Sequence, residues 1–175
     1  GIRAADPYLA AKRLVSLDGD RLQVGELHFN LQDFERVFAM AREAGLRAVA
    51  HAGEEGPPEY IFGALDLLHA ERIDHGVASE RDDELVERLA ATGIPLTMCP
   101  LSNVRLKVFE RIEDHNLRRL MERGVKVTVN SDDPSYFGGY VGDNYRALER
   151  GLELSHEELA TLARNSLEAS FLPIA

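Results

Sequence analysis

The chain is 175 residues long and carries 30 acidic against 20 basic side chains, for a formal net charge of −10. A hydrophobic content of 45% at this length suits one domain with a real core, and surplus acid with no Lys/Arg cluster argues against nucleic acid or an anionic membrane surface as partner. Its single cysteine, Cys99, excludes an internal disulfide and fits a reducing cytoplasm, while no apolar run reaches the roughly 18 residues of a membrane span and the N-terminus lacks a secretory pattern.

Helices and short apolar strands alternate along the chain. A first strand-like run lies at Leu14–Leu17. Phe34, Val37, Phe38 and Ala41 then fall at helical spacing, and Gly45 supplies the left-handed stop. The run Leu46 to His51 leads into the loop Ala52-Gly53-Glu54-Glu55-Gly56. Pro57-Pro58 opens the next helix, since proline suits a first turn whose N–H has no partner. A short strand ends in Asp74-His75-Gly76, a helix from about Asp82 to Ala91 stops at Gly93, and Ile94 to Met98 runs into Cys99-Pro100-Leu101-Ser102-Asn103. Leu117 to Arg123 is helical. Val125, Val127 and Val129 alternate before Asn130-Ser131-Asp132-Asp133-Pro134, and Ser155-x-x-Glu158 is a capping box for a helix reaching about Ala169. Such alternation predicts βα units and a parallel sheet.

The polar punctuation follows a rule. His51, His75, Cys99 and Asp132 each stand where an apolar run gives way to a loop, at separations that one strand, one helix and two turns would fill. Successive strands thus deliver polar groups to one face, the carboxyl face on which parallel α/β proteins build their sites. Cys99, without a local His/Asn pairing, reads as a small buried residue and not as a nucleophile.

Each motif has two readings. Asp132-Asp133 before Pro134 is either a turn or a carboxylate pair whose repulsion a divalent cation relieves. His51-Ala52-Gly53-Glu54 is either a strand-end histidine before a solvated acidic turn, or a ligand histidine beside a proton-shuttling glutamate. His75 has the same pair of readings. His28, His69, His115 and His156 sit in polar helix or loop contexts and are expected at the surface.

Taken together, HAGE at 51–54, DHG at 74–76, CPLSN at 99–103 and NSDDP at 130–134 resemble, in order and spacing, the signatures of the adenosine/adenine deaminase family. The likeness covers roughly residues 31 to 172. Gly56-Pro57-Pro58 and Ser135-Tyr136-Phe137-Gly138-Gly139-Tyr140 resemble the adenine deaminase branch more than the adenosine branch. The resemblance implies a metal-dependent (β/α)8-barrel hydrolase of purine salvage that converts adenine to hypoxanthine and ammonia. Adenosine and N6-substituted adenine are the neighbouring substrates, and a non-catalytic half-barrel is the reading from another class. It further implies one Zn2+ per complete site with His51 and Asp132 among its ligands. Glu54 is implied as the acid that protonates purine N1, and must be held protonated by burial or neighbouring carboxylates. His75 would orient and deprotonate the attacking water, Asp133 would bond the purine near N7, and Gly19, after Leu17-Asp18, would lie at the substrate.

The sequence also departs from that family. Its His-x-His ligand pair is absent, and the five strand-like runs fall short of the about 250 residues and eight strands of a whole barrel. The expectation is therefore an α/β fold forming the C-terminal part of a (β/α)8 TIM barrel, about strands 4–8 plus a C-terminal helix, without the N-terminal βα units. Residues 1–30 match poorly and residues 31–175 form the one domain. The missing N-terminal half of the barrel is the expected partner, with a homo-oligomer as another route to closure, and this chain alone should hold zinc weakly.

Overall fold

A computed structural model describes residues 15–172 other than 19–20 and 25–26, with side chains from residue 34 onward. Two sheets are present among them. The first is an antiparallel meander of β1 (Val15–Asp18), β2 (Arg21–Val24) and β3 (Leu27–Asn30). The second is parallel, with β4 (Val49–Ala52), β5 (Arg72–His75), β6 (Leu96–Met98) and β7 (Val127–Val129) hydrogen-bonded in chain order. Of the run expected at Leu14–Leu17, residues 15–17 fall in β1, which pairs antiparallel with β2 and adds nothing to the parallel sheet, and Leu14 lies outside the described residues. Alternating apolar residues mark a strand but not its partner. Gly19 lies outside the described residues.

Helices connect the parallel strands as predicted. Helix α1 (Leu31–Glu43) precedes β4, and α2 (Pro58–Asp66) starts with proline in its first turn and leads to β5. A 3-10 turn at Val77–Arg81 and α3 (Asp83–Thr92) lead to β6. Helix α3 is fixed at both ends. The Asp82 carboxylate accepts from the Leu85 N–H at 2.9 Å, and Gly93 closes the helix at φ 67°. Between β6 and β7 lie α4 (Pro100–Arg105) and α5 (Leu117–Glu122). After β7 come α6 (Pro134–Phe137), α7 (Val141–Gly151) and α8 (His156–Glu168). Helix α8 has the predicted capping box: the Glu158 N–H donates to Ser155 Oγ at 3.3 Å while the Ser155 N–H donates to Glu158 Oε2 at 2.7 Å.

The parallel sheet is two-faced. Ile73, Leu96 and Val127 occupy one register row and are fully buried, packed with Ile61, Leu85, Leu89, Leu117 and Leu120 of the helices. The next row, His51, Asp74, Thr97 and Thr128, is polar, and all four side chains line one cavity on the opposite face. The period of two that separates core from site is therefore set residue by residue along each strand. At the β7 edge, the Asn165 side chain of α8 donates to Val127 O at 2.9 Å, meeting a carbonyl that a further strand would otherwise use.

Candidate active site

The cavity has a volume of about 450 Å3 and is lined by His51, Asp74, His75, Thr97, Cys99, Thr128, Asn130 and Asp132, with Arg72 and three residues at the end of α8. Its lining includes His51, His75, Cys99 and Asp132, the strand-end residues that the punctuation rule singled out, and extends to Arg72 at the start of β5.

Local backbone geometry aims its side chains. By strand alternation His75 would share the apolar face of Ile73, but it leaves β5 in a left-handed conformation (φ 64°) and lines the cavity instead. Asp132, three residues beyond β7, is left-handed too (φ 58°). For a residue with a side chain this conformation costs roughly 1–2 kcal/mol, and such strain gathers where function needs a fixed side chain. Gly53 in the HAGE loop has φ 69°, and a Cβ there would overlap Ile61 Cδ1, so the small residue is required twice over.

Glu54 and His75 form the buried, closed side of the site, with side chains 2% and 4% exposed; His75 lines the cavity, and Glu54 packs against it without lining the cavity itself. Glu54 Oε1 lies 3.2 Å from His75 Nδ1, and Oε2 lies 3.3 Å from His51 Nε2. The Asn103 amide donates to Glu54 Oε1 at 2.9 Å and stands 3.2 Å from His75 Nδ1. Behind it, His115 Nε2 is 3.2 Å from Asn103 Oδ1, and the Leu117 N–H donates to His115 Nδ1 at 3.1 Å. His115 is completely buried against the Phe109 ring, which corrects the expectation of a surface histidine. His69 and His156 are exposed as expected. Neither the burial of His115 nor the central place of Asn103 was foreseen from sequence. The only hint is Asn103's position inside the CPLSN motif.

The open rim is different. His51 keeps half its side chain exposed and stacks obliquely on His75, ring centres 4.4 Å apart. Asp132 Oδ2 accepts from Ser102 Oγ at 2.7 Å and lies 3.8 Å from His75 Nε2. Asp133 is exposed, begins α6, and is not among the residues that line the cavity.

Electrostatics sorts the histidines. The hydrogen bond to Glu54 holds the His51 imidazolium above its ordinary range, against the cost of partial burial. Burial moves His75 the other way, favouring the neutral ring despite the nearby carboxylates. His115 is pushed down to about 3 by burial and is neutral at any ordinary pH. The Cys99 thiol is driven up by burial and by Asp132 and Glu54, so it stays protonated and inert, in line with the sequence reading.

Two sets of potential ligand atoms each lie within 4.8 Å of one another: His51 with Glu54 and His75, and His75 with Cys99 and Asp132. Imidazole nitrogen and carboxylate oxygen occur in both sets, and such donors fit zinc or a similar borderline cation.

Comparison with known proteins gives this geometry its context. The family model described as adenosine deaminase matches residues 3–175. The chain belongs to the adenosine deaminase family. It is 60% identical over 151 residues to an adenine deaminase of Ectopseudomonas mendocina, covering 86% of this chain and 48% of that protein. It is 55% identical to the adenine deaminase of Bordetella parapertussis, covering 96% of this chain and 51% of that one. Among solved structures, adenine deaminase from Arthrobacter aurescens superposes with a TM-score of 0.80 at 55% identity, over 82% of this chain and 44% of its own. A Burkholderia ambifaria amidohydrolase solved with bound zinc gives 0.74 at 27% identity, over 80% and 40%. The chain spans about half the length of the curated relatives it matches. Its four parallel strands and their helices are accordingly part of a (β/α)8 barrel, as the sequence implied.

Proposed function

We propose that this chain supplies the purine-handling part of an adenine deaminase, which removes the 6-amino group hydrolytically to give hypoxanthine and ammonia. The observation that carries the reading is the convergence of His75, His51 and Asp132 on one cavity, with the buried Glu54 in contact with both histidines. The adenine deaminases of Ectopseudomonas and Bordetella support the choice of substrate.

In this reading His51 and Asp132 hold a divalent cation, with zinc the leading candidate. When bound, such a cation lowers the pKa of a water from about 16 to about 7 and makes hydroxide available at neutral pH. Glu54, buried and aimed by Asn103, carries the proton for purine N1, so that negative charge does not build on the ring as oxygen adds to C6. The C6–N bond then breaks, ammonia leaves with the proton from the attacking oxygen, and the carbonyl of hypoxanthine remains. His75 orients the attacking water from the closed side and takes its first proton, which replaces the one that Glu54 gives to N1. Asp133 and Gly19 are proposed substrate contacts, near N7 and at the purine respectively. Catalytic zinc normally takes about three protein ligands, so the further ones are assigned to the N-terminal half of the barrel, in the same or another chain. The single cysteine fits a cytoplasmic salvage enzyme.

The test joins this chain to the N-terminal part of the Bordetella relative and measures ammonia release from adenine, adenosine and N6-methyladenine with zinc present. Turnover fastest on adenine supports the proposal. Preference for either other purine reassigns the substrate, and ammonia from none of them, in a folded and metal-loaded barrel, points to the non-catalytic half-barrel.

A further inference from the structure

Strand β5 turns two opposite charges toward the cavity. Arg72 and Asp74 stand two residues apart on it, so they share a face, and both line the cavity. Asp74 is bonded within the sheet, since Thr97 Oγ1 donates to Asp74 Oδ1 at 2.6 Å. Arg72 is only half satisfied. Its Nη1 donates to Ala169 O at 3.1 Å and its guanidinium lies 4.6 Å from the centre of the Phe171 ring, two contacts without formal negative charge. Its Nε is buried and has no hydrogen-bond partner among the described residues. Ser166 and Ser170 line the same cavity, but both hydroxyls donate to carbonyls of α8. Arg47, which reaches the same phenyl ring, is by contrast paired with Glu71.

Position says where the missing acceptor comes from. Arg72 opens β5 and stands about 10 Å from His75 along the strand, with the row of Asp74, Thr97 and Thr128 between them. It is half-buried in this chain. A barrel interior, however, is filled by layers of side chains that alternate strands contribute, so completing the barrel encloses the cation. An enclosed cation without a counter-charge is costly, and the side-on pair of N–H groups at Nε matches a carboxylate, which accepts both in parallel. We propose that Arg72 is a docking residue for the completing half of the barrel: its Nε edge takes an Asp or Glu carboxylate from an inward-facing position of the N-terminal half. That ion pair locks the half against β5 at the end of the barrel remote from the chemistry. A free carboxylate entering at the strand-end rim would have to pass the Asp74 row, whereas a side chain arrives with its own strand. Such a pair needs the N-terminal half of the proposed reading, but neither its metal nor its substrate.

The experiment is 15N–1H NMR of the arginine Nε–H groups, recorded metal-free on the 175-residue chain and on the same chain joined to the N-terminal part of the Bordetella relative. The Arg72 signal is identified by its loss in Arg72→Lys and, independently, by its shift in Phe171→Leu, which removes the ring current. The identification thus survives if one variant fails to fold. The expected result is exchange with water slower by about 10-fold or more in the joined barrel than in the chain alone, as a hydrogen bond to a charged acceptor implies. One Asp→Asn or Glu→Gln substitution in the joined N-terminal part then restores fast exchange while the other arginine signals stay in place. Equal exchange in the two proteins overturns the proposal, and so does protection retained in every one of those substitutions. An Arg72 signal of the joined barrel that moves on addition of acetate overturns it too, since a free carboxylate and not a side chain would then be the ligand. Because no turnover is measured, each result leaves the substrate assignment untouched.

Discussion

The two sides of the cavity are built on opposite principles. The closed wall of Glu54, His75, Asn103 and His115 is buried, and each member is aimed by the next through hydrogen bonds that end on a backbone amide. On the rim, His51 is half exposed and Asp132 is anchored to Ser102 by a single hydrogen bond. Buried polar networks carry large penalties when broken because the orphaned groups have no water to turn to. Exposed ligands carry small ones and are free to reach for an ion. The wall should therefore dominate stability, and the rim metal affinity.

The largest effect separating them is the response to acid. Folded His115 stays neutral down to about 3, whereas in the unfolded chain an ordinary histidine protonates near 6.5. Between those values the unfolded state binds the extra proton, so stability falls as the pH drops from 6.5 and the term is absent above it. The full loss from this group is about 5 kcal/mol at the acid end. Urea titrations at stepped pH should show a steep acid limb that is shallower in His115→Gln, which has no titrating ring. Parallel limbs would remove His115 as the cause.

Next comes Asn103→Leu, which leaves the His115 donor and Glu54 Oε1 without their amide partner. We expect a loss of about 2–4 kcal/mol in chemical denaturation. A loss below about 1 kcal/mol would mean that the wall is not a connected network. On the rim, His51→Ala should cost less than about 1 kcal/mol of stability, yet weaken zinc binding by 10-fold or more in calorimetric titration. Unchanged affinity would remove His51 from the ligand set. The smallest effect belongs to the surface. Arg119 holds the Glu80 carboxyl below its ordinary range through two hydrogen bonds, with half the arginine exposed. Glu80→Gln should change stability by about 0.2–1 kcal/mol and lose even that in high salt.

The same contrast explains what was legible in the sequence. The parallel strands and the rim were, because short apolar runs that give way to loops at His51, His75, Cys99 and Asp132 are a local signal. His75 and Glu54 were found the same way, inside short motifs. His115 was not. It follows Glu113 and Asp114 in a polar context, and its burial comes from Phe109 and Leu117 folding over it, a tertiary event without local periodicity. Helix α7 escaped as well. Its buried residues, Asn144 and Leu148, are few, and its start depends on the Asp143 carboxylate accepting from the Tyr140 N–H at 2.9 Å. The run at Leu14–Leu17 shows the converse limit. Residues 15–17 were read correctly as extended chain, but their partner across the sheet was not encoded in them.

The most direct test of the account is ammonia release from adenine by the completed barrel carrying Glu54→Gln. The substituted amide keeps the shape of the side chain and can still reach Asn103, but cannot deliver a proton. With fold and bound zinc verified, we predict that kcat falls by about 10²–10⁴. Turnover equal to that of the unsubstituted barrel would contradict the assignment of the buried glutamate as the proton donor, and with it the reading of the closed wall as the part of the site that does the chemistry.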